Sequence, residues 1–115
     1  MAKSIVCSAS LKFGDFSLAM FGSSTSTGDD FVYSTGTAGT VAGAIEYSVV
    51  GSSGLLLIKN TGATNNLLVS LDGGSTFPVI ILPGHANLIS TDPAGEVQVK
   101  TASSTTTYEA FLTEA

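Results

Sequence analysis

Short apolar segments alternate with clusters of turn residues along the chain, and Gly or Pro interrupts almost every block of ten residues. β-Branched and aromatic residues fill the apolar segments, as is typical of strands, and helix signals are nearly absent. Short strands at this spacing indicate an antiparallel sandwich, jelly roll or barrel. We expect an all-β fold with a single antiparallel β-sandwich of jelly-roll-like type. The ten predicted strands are 4–11, 15–21, 31–34, 41–50, 55–59, 67–71, 77–82, 86–90, 96–101 and 106–112.

Two tracts rich in Ser, Thr and Gly interrupt the N-terminal part of the chain, at 22–28 and 34–40. They contain little that could be buried, so we expect flexible loops or extended arms that lie on a partner. From residue 55 onward the strand pattern is cleaner. We therefore divide the chain into an N-terminal arm of strands and low-complexity loops over 1–40, packed on the same domain, and a β-sandwich core over 41–115.

Two predicted strands, 55–58 and 79–82, are apolar on both faces, whereas 97–101 alternates between apolar and polar residues. A strand of the first kind must be covered on both sides, and in so small a domain another subunit can supply the second cover. We expect these strands and the strand tyrosines to contribute to core packing and to an intersubunit or partner interface. The interface residues predicted in this way are Leu55, Leu57, Val79, Ile81, Tyr47 and Tyr108.

The amino-acid composition excludes some classes of binding partner and favours others. The 115 residues suit one compact domain, and four Lys, no Arg and nine acidic residues give a net charge of −5. This balance cannot supply the basic surface that nucleic-acid binding needs. Charged residues make up only 11% of the chain, and 41–50 carries a single charge, Glu46. Exposed strand edges are normally guarded by charges or Pro, so the composition favours a component of an assembly over a free enzyme.

Cysteine content and hydropathy exclude further classes. The only cysteine, Cys7, rules out an internal disulfide or a cysteine-based zinc site, and we expect it to be buried and inert. The apolar patch at the N-terminus is too short for a signal peptide, because Lys12 and Asp15 follow closely. No stretch reaches the roughly 18 apolar residues of a membrane helix. We therefore expect a chain made in the cytoplasm with no membrane partner.

The sharpest local motif is Leu71-Asp-Gly-Gly-Ser-Thr76, between two apolar strands. Its oxygens could bind calcium, but no EF-hand spacing follows, and Asp-Gly and Gly-Gly are hairpin residues. We interpret the motif as a hairpin at the rim. The single histidine, His85, has no second ligand nearby and is interpreted as a surface residue or a hydrogen-bonded cap. Because no Gly-x-Ser-x-Gly motif occurs either, we assign no catalytic, cofactor-binding or metal-binding residue and expect no enzyme.

Several segments resemble small virion proteins of tailed bacteriophages. They are the strand end Ile58-Lys-Asn-Thr-Gly62 in 54–62, the hairpin 67–77, the turn Leu82-Pro-Gly84 and the strand 97–101, so the likeness covers about half of the chain. The resemblance implies a jelly-roll-like structural protein, commonly a trimeric decoration (cement) protein on the capsid exterior. Its partners would be the major capsid protein and further copies of itself.

Two alternatives to a capsid decoration protein stay open at this point. The first is a small structural component of the tail or neck. The second is a receptor- or glycan-binding module on the virion surface, which would use the loop 60–66 and Tyr108. The acidic, hydroxyl-rich composition suits an outward-facing position on the virion, because a surface lining the DNA would favour basic residues.

Overall fold

The chain folds as an all-β protein in a computed structural model that describes residues 3–26, 30–45, 53–91 and 95–114. All ten predicted strands are present, although their bounds differ. They are β1 Lys3–Phe13, β2 Phe16–Ser26, β3 Phe31–Ala38, β4 Gly43–Ala44, β5 Ser53–Asn60, β6 Leu67–Ser70, β7 Val79–Ile81, β8 Ala86–Ser90, β9 Gln98–Lys100 and β10 Thr106–Glu114. The predicted all-β class is confirmed.

Eight of the strands form an antiparallel sandwich of two four-stranded sheets. Their orders are β3-β10-β5-β8 and β4-β9-β6-β7, and we call them the first and the second sheet. From β3 to β10 every connection passes from one sheet to the other, except the β6–β7 hairpin. Counted from β3, the orders are 1-8-3-6 and 2-7-4-5, which is the arrangement of a jelly roll. The predicted jelly-roll-like sandwich is therefore confirmed.

The core lies between the two sheets and follows the alternation of each strand. In β5, Leu56 and Ile58 point inward and are fully buried, whereas Leu57 between them is 49% exposed. On the second sheet, Leu67 and Ile81 are register partners and both are buried. The strands predicted to be apolar on both faces thus line the core with one face and leave the other face outside.

One buried side chain connects the ends of several strands. Asn60 is fully buried, and its Nδ2 donates to the carbonyls of Asn65 (2.8 Å) and Ile81 (2.9 Å). Its Oδ1 accepts from the Gly62 N–H (3.0 Å) and from Thr106 Oγ1 (2.7 Å). A buried amide is tolerated when its hydrogen-bonding capacity is used. Asn60 therefore holds the end of β5 to β7, β10 and the 61–66 loop.

The remaining two strands, β1 and β2, form a separate two-stranded sheet. They pair from Lys3↔Ser26 to Phe13↔Phe16, joined by the two-residue turn Gly14–Asp15. Gly14 has a φ of 59° at the first central position, where a type II′ turn places Gly. The segment that stands apart from the sandwich is therefore this hairpin, because β3, within the predicted 1–40 arm, pairs with β10 in the first sheet.

The structure of the two low-complexity tracts differs in part from the prediction. Residues 22–26 continue β2 and residues 35–38 continue β3, where we predicted loops. The reason is long-range pairing, because the backbones of these segments face β1 and β10 in register. Gly36 also gives room to its register partner Tyr108, since a Cβ at Gly36 would lie 2.6 Å from the Tyr108 hydroxyl. Residues 27–28 of the first tract and 46–50 of the predicted strand 41–50 lie outside the described residues.

Candidate partner-binding surfaces

The outer face of the first sheet carries a row of apolar side chains that crosses all four strands. Tyr33, Phe111, Leu57 and Leu88 are successive register partners from β3 to β8. Tyr33 is 58% exposed and Leu57 is 49% exposed, and Leu88 is also exposed. Large contiguous apolar patches are uncommon on monomeric proteins and usually mark interaction sites. This row is the first candidate partner-binding surface, and we call it the sheet row.

Two contacts fix the aromatic end of the sheet row. The ring of Phe31 stacks on Phe111 with centroids 5.2 Å apart, in the offset geometry that aromatic pairs favour. The Tyr33 hydroxyl donates to Glu109 Oε2 at 2.6 Å. This hydrogen bond raises the pKa of Tyr33 above its usual value of 10.0, because ionising the phenol would remove the donor beside a carboxylate. The aromatic rings are thus held in place on the surface before any partner arrives.

A cavity of about 400 Å³ separates the β1–β2 hairpin from this sheet. Val6 and Ser8 of the hairpin line one side, and Leu57, Leu88 and Phe111 of the sheet row lie among the residues that line the other. Most of this lining is aliphatic or aromatic, whereas close-packed interiors leave few voids larger than a water molecule. The hairpin therefore approaches the sheet row without packing closely against it.

The hairpin itself is the second candidate surface. Its register places residues of alternating type on opposite sides of the two-stranded sheet. One side carries large apolar side chains, which we call the hairpin apolar face, and the other carries five serines together with Val6, Lys12, Ala19 and Phe21. The large side chains that the structure describes on the apolar face are exposed by 45% to 82%: Leu11, Phe13, Phe16, Leu18 and Met20.

The six interface residues predicted from sequence fall in different environments. Leu57 is exposed and Leu55 is half-buried on the outer side of the first sheet. Ile81 and Tyr108 are buried in the core of the chain, and Val79 packs against that core. These three therefore contribute to packing within the subunit. Tyr47 lies outside the described residues, as does the side chain of Cys7, which was expected to be buried.

Sequence reasoning missed most of the residues on the two surfaces. On the sheet it did not single out Phe31, Phe111 or Leu88, and it considered Tyr33 as a strand tyrosine without including it among the six interface residues. On the hairpin, Ser8, Ser10 and Ser17 alternate with Ala9, Leu11, Phe16 and Leu18, a period-two pattern that marks a two-sided strand. That alternation was visible in the sequence. What it could not reveal is that none of the other described strands covers the apolar side.

The Asp72 motif forms the predicted rim turn of the β6–β7 hairpin. Asp72 Oδ1 accepts from the Thr76 N–H (3.0 Å) and from Ser70 Oγ (2.7 Å), and Oδ2 accepts from Thr76 Oγ1 (2.7 Å). The Thr76 N–H, followed by the Ser70 hydroxyl, lowers the pKa of Asp72 to about 2, because these donors stabilise the carboxylate. Gly73 and Gly74 have φ of 76° and 94°, as such turns require. The Asp72 carboxylate thus stabilises the turn.

The residues proposed for a glycan site are largely used within the fold. Tyr108 is buried, and burial raises its pKa above the usual value. Asn60 is the buried connector described above, and Asn65 Nδ2 donates to the Thr105 carbonyl at 2.9 Å. None of these three side chains joins the sheet row. His85, which was not part of that proposal, is exposed, and its main chain closes the turn, with its N–H donating to the Leu82 carbonyl at 3.0 Å.

In the described part of the chain, no group of three or more His, Cys, Asp or Glu side chains is placed to hold a metal ion. The same ranges are free of any helix with the length and hydrophobicity that a membrane crossing requires. Comparison with known proteins gives no match to any family model, curated protein or solved structure. The sheet row and the hairpin apolar face are therefore the features of the structure that indicate a function.

Proposed function

We propose that the chain is a non-enzymatic structural protein of a bacteriophage virion, a trimeric capsid decoration (cement) protein that binds the outer surface of the major capsid protein shell. The observation that carries the proposal is the sheet row, an apolar strip across the outer face of a jelly-roll sheet. A rigid apolar strip suits permanent attachment to another protein, because its burial removes apolar area from water.

The resemblance to small virion proteins adds support that is independent of the row. Its motifs lie at structurally important points, since Asn60 in the Ile58–Gly62 segment is the buried connector and the 67–77 segment forms the β6–β7 hairpin. The net charge of −5 and the hydroxyl-rich composition suit a position on the outside of the shell.

The proposed mechanism is mechanical. The packaged genome presses on the shell, and this pressure separates neighbouring capsomers. A decoration protein that bridges two capsomers buries additional area at the junction and resists separation. Because each trimer presents three copies of the sheet row, modest contacts combine into tight attachment.

The experiment is co-sedimentation of the purified chain with undecorated shells from the phage or prophage that carries its coding sequence. We expect saturable binding and a higher temperature of shell disruption. The Leu57→Ser variant should bind less, whereas Ile80→Ser should bind normally, because Ile80 is similarly exposed (55%) but lies on the second sheet. Failure to sediment with shells, or equal loss in both variants, contradicts the proposal.

A second candidate function, a glycan- or receptor-binding module, has one specific observation in its favour. The exposed ring of Tyr33 lies beside the Glu109 carboxylate, and an aromatic face next to a hydroxyl acceptor is a common way to bind a sugar. Binding on a glycan array that is lost in Tyr33→Ala, together with no binding to shells, would favour this function over capsid decoration.

A further inference from the structure

The β1–β2 hairpin is incompletely buried within its own chain. A two-stranded hairpin is only marginally stable in water unless a hydrophobic face is covered. Here the cavity behind Val6 and Ser8 leaves one side loosely packed, and the hairpin apolar face on the other side is exposed. The hairpin therefore needs a cover that the described part of this chain does not supply.

The surface area of the chain is larger than that of a compact monomer of the same mass. The chain exposes 6780 Å², whereas a compact monomer of 11.6 kDa exposes roughly 5,800 Å². The excess is about 1,000 Å², somewhat more than the roughly 800 Å² that each partner contributes to a standard stable interface. The hairpin apolar face and the sheet row both contribute to this exposed area, which is large enough for one side of an interface between two protein molecules.

The chemistry of the face indicates which molecule fits. Between Ala9 and Met20 the hairpin apolar face has no charged side chain, so these parts of two such faces can meet without repulsion although each copy carries a net charge of −5. The face is aliphatic along its length and aromatic at its end, where Phe13 pairs with Phe16. In a closed ring, rotational symmetry places the same patch of every copy at the axis, so the apolar faces of all copies can meet there.

We propose that the hairpin apolar face packs against the same face of a neighbouring copy of this chain, with the hairpins gathered around the symmetry axis of a homo-oligomer. This contact deepens the proposed function and rests on it, because it supplies the self-association that a trimer requires. It uses the side of the hairpin opposite the cavity, so it does not involve the side chains of the sheet row. The hairpin is a separate sheet, so changes on its apolar face should leave the sandwich folded.

Light scattering on the purified chain, without shells, tests the contact. We expect a mass of at least twice 11.6 kDa, which is the mass of an oligomer. Phe16→Ser should raise the protein concentration at which half of the chains are assembled, on the order of tenfold or more. The reason is that the variant lacks a phenyl ring that the contact between copies buries. The matched control is Phe21→Ser, on the opposite side of the hairpin and more exposed (79% against 60%). General stickiness would make the control at least as harmful, and that result would overturn the proposal, as would a monomeric native chain.

Disulfide trapping is a second test of the contact between copies, and it does not depend on weakening that contact. In a Cys7→Ser background, Met20→Cys places one thiol in the middle of the apolar face, and Ser10→Cys places one on the opposite side. Oxidation should give covalent dimers from Met20→Cys and few from Ser10→Cys. Equal yields, or assembly that Leu57→Ser rather than Phe16→Ser disrupts, would overturn the hairpin contact. Shell binding is measured separately, so the two proposals can fail independently.

Discussion

The hydroxyl of Thr106 donates to the side-chain oxygen of Asn60 at 2.7 Å, and both residues are buried. The bond joins β10 to the end of β5, beside the turn that leads to β8. Because Asn60 Nδ2 also donates to Ile81, the contact links the first sheet to the second. Two of the four strands that carry the sheet row, β5 and β10, are thus joined at this network.

Replacement of Asn60 should destabilise the protein strongly. Asn60→Ala leaves the Ile81 carbonyl and the Thr106 hydroxyl buried without this partner, and we expect a loss of about 3 kcal/mol in the free energy of unfolding. Urea denaturation measures the change. Asn66→Ala, at an exposed position of the adjacent loop, is the control and should change stability by less than about 0.5 kcal/mol. A similar small effect at Asn60 would contradict the role of the network.

Gly36 should not tolerate a side chain. A Cβ there would lie 2.6 Å from the Tyr108 hydroxyl and 2.8 Å from its Cζ, so Gly36→Ala should cost about 1–3 kcal/mol through overpacking. Gly43→Ala is the matched control in another strand, because a Cβ there meets nothing within 4 Å. Thermal unfolding of both variants tests the contrast, and equal midpoints would show that Tyr108 can move aside.

The Asp72 turn predicts a specific dependence of stability on pH. The folded-state pKa of about 2 lies below the ordinary 3.8, so the carboxylate contributes stability that is complete above the unfolded pKa. That contribution is lost as the pH falls through about 4 and then 2. Asp72→Asn should therefore be less stable than the native chain at pH 6, and the difference should shrink at pH 2. Urea titrations at both values measure it, with Asp15→Asn at the exposed β1–β2 turn as the control.

The Tyr33–Glu109 hydrogen bond should be visible in a spectroscopic titration. The pKa of Tyr33 is raised by its hydrogen bond to Glu109, and Glu109→Ala should return it toward 10.0. Absorbance of the phenolate against pH measures the change, and Tyr33→Phe identifies the transition. Tyr108 is the internal reference, because its raised pKa results from burial and should not respond. An unchanged Tyr33 transition in Glu109→Ala would show that the bond does not form in solution.

The sequence by itself determined the class of fold and the places where strands occur, because turn residues and the alternation of apolar positions are local signals. It also predicted that 55–58 and 79–82 have an outer apolar face. It did not distinguish Tyr33, which is exposed, from Tyr108, which is buried, although both lie in strands. The face of a strand that turns inward depends on pairing partners far away in the chain.

Only the tertiary structure decided the remaining features, and the reason is the same long-range pairing. The extension of β2 and β3 into the Ser, Thr and Gly tracts depends on the backbones of β1 and β10, which no local pattern reveals. The four side chains of the sheet row come from residues 33, 57, 88 and 111, and antiparallel register alone brings them side by side. The burial of Asn60 likewise depends on Ile81 and Thr106, which are 21 and 46 residues away.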